Sequence, residues 1–353
     1  MRPQPGVMSF KFAISVEGRT ISQEGSPFVV AELGYNFTTL EEALASVDAA
    51  ADAGADAIKL QTFRADTTAT RSIEFPPEAG GGNQHAEFSR FEIDEPTHRA
   101  VYERARRCGL VPFSTPSHPD DVELLERVGT SLYKIGSDDL TNLPYVRHVA
   151  RLGKPMIISS GMATLDEIDE AIHVIHDAGN RELVLLQCVS NYPVTDSKVL
   201  NLRTIPALAA RFQVLVGYSD HTTGLNGAVA AVALGAVVVE RHFTINKGMP
   251  VPDAGFSADP TELRALVNAV RDTHAMLGSG EKAPTATERD MRTMTRKSCV
   301  ARRRIAKGSP IQIEDVIIKR PGTGIPPRDV ERVVGRVARR DIEEDEVITW
   351  DLV

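Results

Sequence analysis

The chain predicts an α/β fold: a parallel (β/α)8 TIM barrel over residues 28–278, followed by a small β-rich domain over residues 296–353. Three observations carry that expectation. Short apolar runs alternate with segments of helical length, and eight such units follow one another. The apolar runs close on polar or charged residues, as barrel strands do when a site is built at their carboxyl ends. Beyond residue 278 the rhythm stops, and short β-like segments take over. A doubly wound open sheet is the structural alternative, but no glycine-rich dinucleotide loop follows the first strand.

Residues 1–9 read as a disordered tail, and residues 10–21, centred on Glu17-Gly18-Arg19, as a small hairpin, so that 1–27 precede the barrel. Phe28-Val29-Val30-Ala31 is the first buried strand. A helix over 39–53 follows, opening on acidic residues and stopping at Gly54. Ala57-Ile58-Lys59-Leu60 is the second strand. Residues 64–93, with Gly80-Gly81-Gly82, form a polar excursion that a bare barrel does not need, and long loops of that kind cover sites.

The alternation then resumes. Helix 95–108 leads to strand 110–114, helix 119–128 to strand 132–136, helix 143–152 to strand 155–159, and helix 165–178 to strand 183–188. Helix 202–211 precedes Val214-Leu215-Val216-Gly217, and an Ala/Val-rich segment, 224–235, precedes Ala236-Val237-Val238-Val239. Helix 260–277 closes the set. Residues 279–295 are expected to be a linker, since 278–285 have linker composition. In the tail, residues 304–311 are echoed by 341–348.

Composition narrows the function classes. With 42% hydrophobic and 25% charged residues, the chain is an ordinary globular enzyme by composition. A net charge of -8 argues against nucleic-acid binding. Cys108, Cys188 and Cys299 are odd in number and widely spaced, which implies no disulfide framework and fits a reducing cytoplasm. The first residues have no apolar core of a secretory signal, and no apolar run is long enough to span a membrane. A cytoplasmic protein with no membrane and no nucleic-acid partner is expected.

The strand ends hold the chemistry. They present Glu32, then Lys59 and Gln61, Ser114 and Thr115, Lys134 and Ser137, Ser159 and Ser160, Gln187 with Ser190, Asn191 and Tyr192, and finally His221 and His242. Lysines inside apolar strands are costly unless paired, so Lys59 and Lys134 are expected to meet an anion, a phosphate or a carboxylate. Two imidazoles ending adjacent strands can hold a divalent metal with open positions. One buried and one surface histidine is the plainer reading of such a pair. Taken together, these residues predict a metal and an anionic, phosphorylated substrate in a barrel mouth.

Several stretches resemble one family. Ala31-Glu32-Leu33-Gly34, Ala55-Asp56-Ala57-Ile58-Lys59-Leu60-Gln61-Thr62, Tyr133-Lys134-Ile135-Gly136-Ser137 and Ser159-Ser160-Gly161-Met162 look like the sialic acid (N-acetylneuraminate, NeuB-like) synthases. So do Tyr192-Pro193, Tyr218-Ser219-Asp220-His221-Thr222 and Glu240-Arg241-His242-Phe243-Thr244. The tail, with Lys319-Arg320-Pro321-Gly322-Thr323-Gly324-Ile325, resembles the antifreeze-like (SAF) domain that ends those enzymes. The resemblance implies condensation of phosphoenolpyruvate with an N-acetylated hexosamine to give a nine-carbon 2-keto-3-deoxy sugar acid. It implies a divalent ion, Mn²⁺ first and Mg²⁺ or Co²⁺ after it, held by His221 and His242. Glu32 matches the family's site carboxylate. Lys59, Thr115, Lys134, Ser137 and Ser159 match phosphoenolpyruvate positions, while Gln61, Ser190, Tyr192 and Asp253 match others lining the site. Arg320 matches an arginine that the family supplies from the other subunit of a domain-swapped homodimer.

Two positions depart from the family pattern. Asn36 is followed by Phe37 where a histidine is common, and Thr115-Pro116 is followed by Ser117 where a phenylalanine is common. Both lie by the expected mouth and point to an acceptor other than N-acetylmannosamine, such as a 2,4-diacetamido-trideoxyhexose. Two alternatives stand beside the synthase: an aldolase or lyase using Lys134 as a Schiff base, and a non-catalytic sugar-binding homologue.

Overall fold

A computed structural model describes residues 9–75 and 81–353. Residues 1–8 of the expected tail and Gly80 of the glycine run lie outside the described residues. The chain divides after Gly278 into two compact units.

The first unit opens with an antiparallel hairpin, β1 (Ala13–Val16) and β2 (Arg19–Ser22), in which Ile14 faces Ile21. Its two-residue turn, Glu17 and Gly18, has φ values of 46° and 82°. Positive φ at both positions matches the right-handed twist of the flanking strands, and glycine takes the second at no steric cost.

Eight parallel strands then close a barrel: β3 (Phe28–Glu32), β4 (Ala57–Thr62), β5 (Val111–Pro116), β6 (Tyr133–Ile135), β7 (Met156–Ser159), β8 (Leu183–Cys188), β9 (Leu215–Asp220) and β10 (Val238–His242). The last strand pairs with the first, His242 opposite Glu32. Helices α1 (Leu40–Ala53), α2 (Ala65–Thr68), α3 (Gln84–Arg90), α4 (Glu95–Arg107), α5 (Pro119–Val128), α6 (Leu143–Ala150), α7 (Leu165–Asp177), α8 (Thr204–Phe212), α9 (Asn226–Ala233) and α10 (Pro260–Leu277) fill the connections. Several start on sequence-encoded caps. Thr39 with Glu42, Thr164 with Glu167, and Asp259 with Glu262 each form a reciprocal capping box, satisfying donors that the first helical turn leaves free.

Strand periodicity sorts the side chains into two cores. Val29, Ala31, Ile58, Leu60, Tyr133, Ile158, Leu185, Val216 and Val239 point outward and pack with the helices. Their neighbours Phe28, Val30, Ala57, Val111, Phe113, Ile157, Val184, Leu186, Leu215 and Val238 point inward. Ile14, Val16 and Ile21 of the hairpin join that inner cluster, so the hairpin closes the barrel at the strand-start end.

The excursion after β4 contains structure that the sequence pattern did not suggest. It folds α2 and α3, and its aromatic residues form a cluster: the Tyr35 ring lies 5.9 Å from Phe63, 6.4 Å from Phe88 and 5.0 Å from Phe91. Glu92 ties its two ends, accepting from Arg64 and from the Ala65 backbone N–H.

The second unit, from Ser279 onward, holds α11 (Ala286–Thr295), antiparallel β11 (Ser298–Ala301) and β12 (Val316–Lys319), and α12 (Val330–Val333). Thus much of the segment 279–295 is helical, capped by Thr285 and Glu288. The two echoed stretches pair with each other: Ile305 and Ile342 exchange both backbone hydrogen bonds at 2.9 Å, and Arg304 meets Asp341 at 2.6 Å. Cys299, Ile305, Ile311, Val333, Ile342 and Ile348 form this unit's own core. No helix of the described residues is long and apolar enough to cross a membrane.

Candidate active site

The inward alternation that builds the apolar plug continues toward the strand ends, but the residue types change. Glu32 follows Phe28 and Val30, Lys59 and Gln61 follow Ala57, and Glu240 and His242 follow Val238. The mouth of the barrel is therefore a buried polar layer resting on hydrocarbon. Lys59 is 2% exposed and Lys134 3%, so each ammonium needs a counter-charge.

Glu32 supplies one. Its Oε1 accepts from Lys59 Nζ at 2.5 Å and from Gln61 Nε2 at 2.8 Å, and Lys59 also donates to Thr115 Oγ1 at 3.1 Å. Burial by itself would raise the Glu32 pKa, but the charges of Lys59, His242 and Lys134 outweigh it and hold the group well below the usual carboxylate range. A carboxylate so stabilised stays ionised; it orients neighbours and is a poor proton carrier. Lys59 is likewise held above the usual range: burial pulls it down, and Glu240 and Glu32 more than offset that.

The two histidine rings stand 5.4 Å apart between centroids. His221 Nδ1 lies 2.9 Å from the Val189 carbonyl. A carbonyl can only accept, so Nδ1 carries the proton and Nε2 keeps its lone pair. Burial, then the neighbouring His242, pushes the His221 pKa down to about 4, leaving a neutral imidazole at neutral pH. His242 differs. Burial lowers its pKa, but Glu32 and Asp253 outweigh that and raise it. Its Nε2 is 3.7 Å from Glu32, and its Nδ1 is buried without a hydrogen-bond partner, 3.4 Å from Asp253 Oδ2.

An orphaned buried nitrogen beside a neutral imidazole fits a divalent cation, with His221 and His242 as the residues that would hold it. Among the described residues, no group of three His, Cys, Asp or Glu side chains converges as a ready cage. The pair is braced from the outer face of the barrel. Asp220 and Arg241, each immediately before one histidine, form a buried ion pair at 2.9 Å, and Asp220 also accepts from the Thr222 N–H.

The remaining expected residues surround these. Tyr192, half exposed, lays its ring 4.2 Å from His221 and 5.9 Å from His242. Ser137 Oγ accepts from the Gly161 N–H at 3.0 Å, while Ser159 Oγ and Ser190 Oγ are buried with no partner. Unpartnered buried hydroxyls are costly alone and are suited to a polar ligand. Asp253 sits on the loop after β10, which Asn36 pins by donating to the Phe243 carbonyl and to Ser257. Arg320 lies in the second unit, directly after β12, and is exposed.

Several participants were not singled out from the sequence. Glu240 stands between the two lysines, its Oε2 3.6 Å from Lys59 and its Oε1 3.7 Å from Lys134. Its signal was legible: it lies two residues before His242, so strand parity turns both inward. Two glycines had no signal. Gly34 has φ +50°, and a Cβ there would come within 2.8 Å of Asp253 Oδ2 and 3.3 Å of His242 Nδ1. A Cβ on Gly161 would collide with Ser190 Oγ at 2.2 Å and Ser137 Oγ at 2.7 Å.

Comparison with known proteins follows the same division. The NeuB family model matches residues 46–282, and the SAF domain model matches residues 296–353. An N,N'-diacetyllegionaminic acid synthase of Legionella pneumophila is 39% identical over 336 residues, covering 92% of this chain and 94% of that protein. Human N-acetylneuraminate-9-phosphate synthase is 33% identical over 345 residues, 95% of each. The crystal structure of an N-acetylneuraminic acid (sialic acid) synthetase from Leptospira borgpetersenii superposes with a TM-score of 0.72 at 29% identity. That match covers 80% of this chain and 96% of the other. A parallel barrel whose mouth gathers two lysines, two histidines and Glu32, matched over its length in this way, belongs to the NeuB family, with a SAF domain at its carboxyl end.

Proposed function

We propose that the chain condenses phosphoenolpyruvate with an open-chain N-acetylated amino-hexose, forming a nine-carbon 2-keto-3-deoxy sugar acid and releasing phosphate. As a member of its family it is a C–C bond-forming transferase. Two buried lysines on inward strand positions beside two imidazoles carry this proposal, because they create an anion site next to a place for a carbonyl oxygen.

Lys59, Lys134 and Thr115 bind the anionic groups of phosphoenolpyruvate, with Ser137, Ser159 and Ser190 offering hydroxyls beside them. The enol C3 attacks the aldehyde carbon of the acceptor, water adds at C2, and phosphate leaves by C–O cleavage. A divalent cation held by His221 and His242, Mn²⁺ before Mg²⁺ or Co²⁺, supplies Lewis-acid polarisation of the aldehyde oxygen when bound. Glu32, held ionised, orients the attacking water and stabilises positive charge developing at C2. Asp253 and Gln61 hold sugar hydroxyls, and Tyr192 covers them.

The acceptor we favour is a 2,4-diacetamido-trideoxyhexose rather than N-acetylmannosamine. Phe37 stands where the family pattern commonly has a histidine, and it lines a cavity of about 280 Å³ with Gly34, Thr38, Arg90 and Phe91. The naming of the Legionella relative supports the same choice. Arg320 we assign to the acylamino group of an acceptor bound in a second copy of the chain, in a domain-swapped homodimer. The test is phosphate release from phosphoenolpyruvate with Mn²⁺ or EDTA across a panel of N-acetylated mannosamine and diacetamido-hexose acceptors. Release that needs a diacetamido acceptor and is abolished by EDTA is expected; equal or better turnover with N-acetylmannosamine sinks the acceptor assignment.

A further inference from the structure

Glu240 is a charged group of the barrel interior, one inward position below His242 on β10 and level with Ser219 on β9. It is 3% exposed. Ser219 Oγ donates to its Oε1 at 2.9 Å, whereas Oε2 has no hydrogen-bond partner. Each oxygen faces a different ammonium, Oε2 toward Lys59 at 3.6 Å and Oε1 toward Lys134 at 3.7 Å. These are ion-pair distances but not hydrogen bonds. A carboxylate serving stability alone would close such gaps, since an unpartnered buried oxygen is costly. Glu32 already bonds Lys59 directly, but the Lys134 ammonium makes no hydrogen bond among the described residues. Without Glu240 the Lys134 ammonium would lose the carboxylate that lies 3.7 Å from it.

We propose that Glu240 is a positioning residue, the common counter-ion of Lys59 and Lys134. It holds the two ammonium groups apart, each with a donor free, at the spacing a doubly anionic enol-phosphate requires, and it weakens their grip on released phosphate. It touches neither substrate nor the reacting atoms. The proposal rests on the synthase reading for its substrate, though the anion site itself does not.

Charge and placement pull apart in the test. In Glu240→Gln the cavity loses one negative charge, so metal-free protein binds inorganic phosphate more tightly, by about tenfold in titration calorimetry. The lysines lose their shared anchor, so kcat with saturating acceptor falls on the order of tenfold to a hundredfold while KM for phosphoenolpyruvate stays level or drops. Glu240→Asp restores the charge and returns phosphate affinity toward that of the unmutated protein. Should Glu240→Gln not fold, Ser219→Ala keeps the charge and frees one oxygen; kcat then falls severalfold at unchanged phosphate affinity. Weaker phosphate binding in Glu240→Gln, or an unchanged kcat in the folded variants, overturns the proposal. Phosphate binding needs no turnover. If the unmutated protein releases no phosphate with any acceptor, the synthase reading fails, and the calorimetry still decides the role of Glu240.

Discussion

The lower and upper halves of the barrel interior are made by the same strands, in the same parity, and are opposites in chemistry. Below lie Phe28, Val30, Val111, Phe113, Ile157, Val184, Leu186, Leu215 and Val238, stoppered by the hairpin residues Ile14, Val16 and Ile21. At inward positions nearer the strand ends lie Glu32, Lys59, Lys134, Ser159, Ser219, Glu240 and His242, all buried. The lower half lowers the free energy of the fold by removing hydrocarbon from water. The upper half raises it, since buried charges are desolvated and several polar atoms have no partner. The outward apolar cluster under the helices, far larger than the inner one, offsets that cost. A barrel can thus hold an unsatisfied site only because another part of it over-determines the geometry.

If the halves divide the work in this way, mutations should separate activity from stability. His242→Ala should reduce acceptor-dependent phosphate release on the order of a thousandfold or more, with a melting temperature close to that of the unmutated protein. A large drop in melting temperature would move His242 from the working half to the supporting one. Lys134→Met should raise KM for phosphoenolpyruvate on the order of a hundredfold and leave thermal stability level or higher, because a desolvated charge is replaced by hydrocarbon. Steady-state kinetics beside calorimetric melting checks both.

Phe37→His should shift relative kcat/KM toward N-acetylmannosamine by about tenfold, a scale set by one changed pocket contact. Mixed chains offer a sharper test of Arg320: His242→Ala and Arg320→Ala proteins, each impaired, should recover part of the activity when co-expressed if the arginine serves a second copy's barrel. No recovery would place it in its own chain's site or in none. At the opposite end of the scale, Ile157→Ala, in the lower half, should cost about 2–5 kcal/mol in denaturant unfolding and leave KM unchanged.

The alternation of apolar and polar residues along each strand was enough to foresee eight strands, their helices and the charged rim, because the period of two is a local property of the chain. It also pointed to Lys59, Lys134, His221 and His242, since a charged residue in an apolar run announces its own cost. Parity marks Glu240 as well, two residues before His242 on the same strand. The excursion at 64–93 was less legible. Its aromatic residues are spaced too irregularly to show a helical or strand period, and their cluster draws in Tyr35, which meets Phe63, Phe88 and Phe91.

What the sequence determined alone is therefore the fold, the direction in which each strand residue faces, and the types of group gathered at one end. Caps such as Thr39 with Glu42 are equally local and were written in the spacing. Tertiary structure alone decided which charge neutralises which: Glu32 with Lys59 from the neighbouring strand, Glu240 between lysines of β4 and β6, Asp220 with Arg241 behind the histidines. It alone decided that Gly34 and Gly161 must lack a side chain, because what a Cβ would strike comes from residues distant in sequence. Ion pairing and close packing depend on distances across the closed barrel, and closure brings together strands that sequence spacing leaves 210 residues apart, as Val238 of β10 and Phe28 of β3 are.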